Sequence, residues 1–94
     1  MKVVFSRAAR ADIADIHRHI ALRNPAAAKS VVAAIEASTE QLARFPHSGR
    51  IGAVTGTREL VVRGLAYIVV YRVLTGMAEI VAVFHSAQDR PRGG

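Results

Sequence analysis

The chain contains no cysteine and no tryptophan. Without cysteine, disulfides, thiolate zinc sites and thiol nucleophiles are excluded together. Aromatic side chains are scarce: only Phe5, Phe45, Phe84, Tyr67 and Tyr71 are present, so a core has to be assembled from Val, Ile, Leu and Ala. Long apolar runs are absent too. The longest, Leu65 to Tyr71, falls far short of the roughly 20 residues that span a bilayer. No membrane association is expected, and with no apolar leader ahead of the first polar segment the expected location is the cytoplasm. Lysine is nearly missing: of 13 basic residues only Lys2 and Lys29 are lysines, against seven acidic residues.

What is present is arginine and small aliphatic residues. The formal net charge is +6 over 94 residues, which favours an anionic macromolecular partner over a neutral metabolite. The charge forms no tail. Up to His47 there are seven positive and four negative residues, and six and three beyond it. A chain of this length accommodates one hydrophobic core, so residues 1–94 are read as a single domain. Its stability is modest enough for a bound partner to matter.

Local patterns predict an α+β fold in the order β-α-α-β-β-β, with an N-terminal strand and a helical hairpin packed on a mainly antiparallel sheet. Val3 to Phe5 reads as a strand, and Ser6 can cap the helix behind it. Ala9, Ile13, Ile16 and Ile20 recur at steps of four, three and four, one stripe of a helix. Asn24-Pro25 ends that helix and begins another, expected to run from Pro25 to about Arg44, because Pro disfavours helical geometry before it and suits the first helical position. Ala28, Val32, Ile35 and Leu42 should face inward. Residues 47–56 read as a loop. Strands are expected over Arg58 to Val62, Leu65 to Leu74 and Ala78 to His85, separated by Arg63-Gly64 and Thr75-Gly76 turns. The middle one is apolar on both faces apart from Arg72 and its tyrosine hydroxyls, which marks a central strand. Ala87 to Gly94 is polar and ends in glycine, a mobile tail by composition, with residues 86–94 as the expected boundary.

The residues that could carry site chemistry are the histidines and arginines. His17 and His19 are two apart and point to different helix faces, and no carboxylate motif accompanies His47 or His85, so no metal site is expected. No cofactor is expected either, since Gly49, Gly52 and Gly56 lack the ending of a phosphate loop and no dinucleotide fingerprint exists. The remaining set is Arg50, Arg58, Arg63 and Arg72, with His85 closing the last strand. Arginine can stabilise an anionic phosphorane and histidine can move a proton, so Arg58, Arg72 and His85 are the candidate catalytic set if the chain cleaves RNA. Each also has an ordinary reading, as a rim arginine, a turn residue or a hydrogen-bonded imidazole.

The elements and the residues filling them resemble the RelE/ParE superfamily of bacterial toxins, the toxic halves of type II toxin–antitoxin modules. The resemblance covers nearly the whole chain. It rests on Ala11-Asp12-Ile13 and Ile16, Asn24-Pro25-Ala26-Ala27-Ala28, Leu42 to Pro46 and Ser48-Gly49-Arg50. In the second half it rests on Gly56-Thr57-Arg58-Glu59-Leu60-Val61-Val62, Tyr67-Ile68-Val69-Val70-Tyr71-Arg72-Val73, Glu79-Ile80-Val81-Ala82-Val83-Phe84-His85 and Gln88. The resemblance implies an acidic antitoxin as partner, and either DNA gyrase or the ribosome with its messenger RNA as target. RelE-type ribonucleases generally carry a basic residue after the first tyrosine of the third strand, where this chain has Ile68, and lysines ahead of the second strand, which it lacks. A ParE-like inhibitor of gyrase, acting by binding, is therefore the favoured expectation, with RelE-like cleavage of messenger RNA as the alternative. Arg50, Arg63, Gln88 and Arg90 are the candidate binding residues, with the segment Ser86 to Arg92 as a candidate contact for the target.

Overall fold

The computed structural model describes residues 1–87 of the 94. The chain runs β1 (Lys2–Phe5), α1 (Arg7–Ala21), α2 (Pro25–Glu40), a single 3-10 turn (Gln41–Ala43), β2 (Arg50–Ile51), β3 (Arg58–Val61), β4 (Tyr67–Leu74) and β5 (Met77–His85). The five strands form one sheet in the order β1-β5-β4-β3-β2. The expected α+β architecture is present, with differences in detail. The second helix tightens into the 3-10 turn at Gln41 instead of continuing to Arg44, the loop after it contributes the two-residue strand β2, and β4 starts at Tyr67, two residues after Leu65.

Both helix starts follow from their capping residues. Ser6 Oγ accepts from Ala9 N at 3.0 Å, and Asn24 Oδ1 accepts from Ala27 N at 3.0 Å with Pro25 at the first position of α2. The α1 stripe faces the sheet: Ala9 is fully buried, and Ile13 and Ile16 pack on the same cluster as Ile35 of α2 and Leu42 of the 3-10 turn. On the sheet side this cluster takes Leu60, Val62, Val69, Tyr71, Ala78, Ile80 and Val83. The opposite face carries a smaller apolar cluster of Ile68, Val70 and Phe84, joined by Val81 and Ala82. Alternation along β4 divides the two, since neighbouring residues of a strand point to opposite faces.

β1 pairs with β5 in parallel, from Lys2 opposite Met77 to Phe5 opposite Ile80, while the remaining pairings are antiparallel. Ser6 N donates to Ile80 O at 2.9 Å, and there the chain leaves the sheet for α1. The rest of β5 loses its neighbour at that point. Asp12 of α1 supplies the missing acceptor, its Oδ2 receiving Val83 N at 2.9 Å. A register shift between Val70 and Tyr71 leaves Val81 as the additional residue of β5 in the β4–β5 ladder, which is a β-bulge. Gly64 and Gly76 sit at φ of +75° and +70° in the two hairpin turns, a conformation that disfavours any residue with a Cβ.

Candidate functional site

Register decides where the sheet arginines point. Arg58 pairs with Tyr71, which is wholly buried beneath the helices, so Arg58 belongs to the helix-covered face. Its guanidinium is engaged there: Nη1 donates to Gly49 O at 2.8 Å and to His47 O at 3.4 Å, clamping the loop before β2. Arg72 is the next residue after Tyr71 and points to the opposite face. There it meets Glu79, its register partner on β5, and Nε donates to Glu79 Oε1 at 3.1 Å. His85 pairs with Tyr67 and shares the helix-covered face with Arg58, but Tyr67 and Tyr71 are four residues apart on β4, about 13 Å at strand spacing. The three candidate catalytic residues therefore do not converge.

The binding candidates divide in the same way. Arg50 pairs in register with Glu59, a carboxylate only 4% exposed, and Arg50 Nη2 donates to Glu59 Oε1 at 3.3 Å. Ala53 N donates to the other oxygen of Glu59 at 3.1 Å. Glu59 thus closes the loop between β2 and β3 from within, a role for which the sequence offered only an acid among β-branched neighbours. Arg63 is exposed in the turn leading to β4. Gln88 and Arg90, and all of the tail expected over 86–94 except Ser86 and Ala87, lie outside the described residues.

Tyr71 adds a second fastening of the same loop. Its hydroxyl donates to Pro46 O at 2.8 Å and accepts from Gly49 N at 2.9 Å. Tyr67 and Tyr71, four residues apart on β4, share one face of the sheet with different surroundings. Tyr71 is core, whereas Tyr67 is half-buried and meets the His85 ring edge-on, with centroids 5.2 Å apart and planes at 87°.

That aromatic pair walls a groove of about 610 Å³ whose other side is Asp15, Ile16, Arg18 and His19 of α1. A second hollow shares His19 and Tyr67 and extends past Ile20, Leu22, Arg23 and Asn24. Leu22 is 80% exposed at the end of α1, an apolar side chain with no place in the core. The groove is basic and apolar together. Arg18 and Leu22 were not singled out from the sequence and His19 was weighed only as a metal ligand, because they lie off the apolar stripe and only the packing of α1 against the end of β4 and β5 sets them around Tyr67. His85 Nδ1 accepts from Ala87 N at 3.0 Å, so the imidazole is engaged with its own strand end. Among the described residues no group of three His, Asp or Glu side chains is placed to hold a metal ion.

This arrangement sets His85 and Tyr67 beside Arg18 and His19 of α1, and apart from Arg58 and Arg72. The sequence profile of the family described as "ParE toxin of type II toxin-antitoxin system, parDE" matches residues 3–90. The chain belongs to the ParE toxin family. It is also 40% identical over 78 residues to the Y4kP protein of Sinorhizobium fredii, which carries an inferred toxin designation; the match covers 83% of this chain and 80% of that one. A solved structure described as the chromosomal ParDE TA system from P. aeruginosa contains a chain that superposes with a TM-score of 0.82 at 24% identity, covering 90% of this chain and 95% of that chain. At that identity the likeness supports a common fold. The family's description as the toxin of a type II toxin–antitoxin system implies an antitoxin as partner.

Proposed function

We propose that this ParE-family toxin inhibits DNA gyrase by binding it, and that an acidic antitoxin neutralises it by covering its basic surface. The observation carrying the reading is the separation of Arg58, Arg72 and His85 between two faces and two ends of the sheet. Cleavage of RNA by its own 2′-hydroxyl needs proton removal, phosphorane stabilisation and leaving-group protonation within a few ångströms of one phosphate. Binding makes no such demand. At the position where RelE-type nucleases place a basic residue, Ile68 is 5% exposed and packs in the apolar cluster with Val70 and Phe84. Arg50, Arg63, Gln88 and Arg90, with the segment Ser86 to Arg92, remain the proposed contacts for target and antitoxin. Both partners would be met in the cytoplasm, and no helix among the described residues is long and apolar enough to cross a membrane.

The test is a pair of assays on the purified toxin: supercoiling by gyrase, and cleavage of messenger RNA on translating ribosomes. Inhibition of supercoiling with intact message is the expected result. Codon-positioned cuts with unaffected supercoiling would replace this reading with the RelE-like one. His85→Ala should leave gyrase inhibition within about twofold, since its ring contacts Tyr67 and its Nδ1 accepts from Ala87. A loss of 100-fold or more with folding preserved would instead make that imidazole part of the contact with gyrase.

A further inference from the structure

The outward side of α1 is a ridge with Arg7 and Arg10 in its first turn and Arg18 about two turns beyond Arg10, next to the groove walled by Tyr67 and His85. Arg7, Arg10, Ala11, Ala14, His17 and Arg18 are all exposed, and at 3.6 residues per turn they fall within about 120° of one another. Arg7 and Arg18 are separated by about 17 Å of helix. The two acids of α1 lie off this ridge: Asp12 is turned to Val83 N, and Asp15 sits on its flank, 2.7 Å from Arg18 in a pair with both side chains largely exposed. Glu36 of α2 shares a shallow cleft with Arg10, yet the ion pairs found among the described residues, Arg18–Asp15, Arg50–Glu59 and Arg72–Glu79, include neither.

Two features make this more than a solvated helix face. The first turn of α1 holds Arg7 and Arg10 and no acid, so two cations stand at the end of the helix where the backbone dipole is already positive. That placement works against the isolated helix and in favour of an anion facing it. The second feature is what the ridge lacks. Its uncharged members are alanines, whereas the core of a protein–protein interface is enriched in aromatic and large apolar side chains and depleted of charge. Arginines flanking small residues suit a phosphate backbone, which is contacted by cations and needs no apolar anchor.

We propose that the α1 ridge of this toxin binds the phosphate backbone of duplex DNA, with Arg7, Arg10 and Arg18 as the contacts and no sequence preference. It involves none of Arg50, Arg63, Gln88 and Arg90, the contacts proposed above for target and antitoxin. Arg18 exchanges an exposed partner, Asp15, for phosphate, which is inexpensive because such pairs contribute little in water.

The experiment is fluorescence anisotropy of the full-length toxin on labelled duplexes of unrelated sequence, between 50 and 200 mM salt, with no gyrase present. Three phosphate contacts contribute about −2.7 to the slope of log affinity against log salt, or about a 40-fold loss over that range. The triple substitution Arg7→Gln, Arg10→Gln, Arg18→Gln should flatten the slope by about 2.7 with the circular dichroism spectrum unchanged, and Arg7→Gln alone by about 0.9. Lys2→Gln with Arg44→Gln, cations off α1, should leave the slope in place. The proposal is overturned if the toxin does not bind duplex DNA at 50 mM salt, if the triple variant keeps the wild-type slope, or if the Lys2/Arg44 variant loses as much per charge. It is equally overturned if the triple variant loses antitoxin affinity while keeping its DNA affinity, which would assign the ridge to the protein partner. Because gyrase is absent from the assay, its outcome stands apart from that of the supercoiling test.

Discussion

Replacing Tyr71 by Phe removes one oxygen from the centre of the molecule and leaves a ring of nearly the same shape. Tyr71 is 0% exposed, and its hydroxyl joins Pro46 O and Gly49 N, at 2.8 and 2.9 Å, to the middle of β4. The packing term is therefore close to zero, and the cost is that of the two groups left behind. Gly49 is buried, so its N–H becomes an unsatisfied donor, costing about 1–3 kcal/mol. Pro46 is only half-buried, and its carbonyl can turn to water at little cost. A net destabilisation of about 2 kcal/mol follows. In a domain of this size that lowers Tm by roughly 8–16 °C. Urea unfolding followed by circular dichroism should show the midpoint falling with the slope m unchanged, since the surface exposed on unfolding is the same. A Tyr71→Phe protein within about 0.5 kcal/mol of wild type would refute the reasoning, because it would mean that the loop before β2 is not fastened through this hydroxyl.

The same loop can be tested from its other side: a Cβ added at Gly49 would come 2.7 Å from the Tyr71 oxygen and 2.8 Å from the Glu59 carbonyl, so Gly49→Ala should destabilise by about 1–3 kcal/mol in the same unfolding assay. Asp12→Ala removes the carboxylate that receives Val83 N at 2.9 Å beyond the end of β1; we expect a loss of about 1.5–3 kcal/mol and faster hydrogen exchange at the Val83 amide, with Asp12→Asn recovering part of both. Arg72→Gln breaks the pair with Glu79, whose side chains are 48% and 25% exposed, and should change stability by less than about 1 kcal/mol, with the small effect shrinking further at high salt.

Much of the fold was legible because its determinants are local. Ser6 and Asn24-Pro25 supply helix caps wherever they occur, glycines at positive φ mark the hairpin turns, and the stripe from Ala9 to Ile20 has one solution as an amphipathic helix. The parallel pairing of β1 with β5 was not legible. It joins residues more than seventy positions apart, and nothing in Val3 to Phe5 names its partner. β2 was read as loop because two residues carry no periodicity; it is a strand only because Arg50 and Ile51 lie against Glu59 and Arg58. For the candidate site, residue types pointed to arginines and a histidine but not to their faces. A shift of one residue in the β3–β4 register would place Arg58 opposite Arg72 and move it to the other side of the sheet.

By itself, the sequence determined the class of this protein: a small arginine-rich α+β domain without thiol, metal or cofactor motifs, in an order of elements that matches the ParE toxins. Composition and local periodicity are properties of neighbouring residues, so they survive without coordinates. Only the tertiary structure decided where the charges stand and what they touch. It turned Asp12 inward to complete the edge of β5, committed Arg58 to the loop, Arg72 to Glu79 and Arg18 to Asp15, and set Arg7 and Arg10 on the outward side of α1. Register and packing bring together residues that are distant in the chain, and electrostatic effect depends on separation in space.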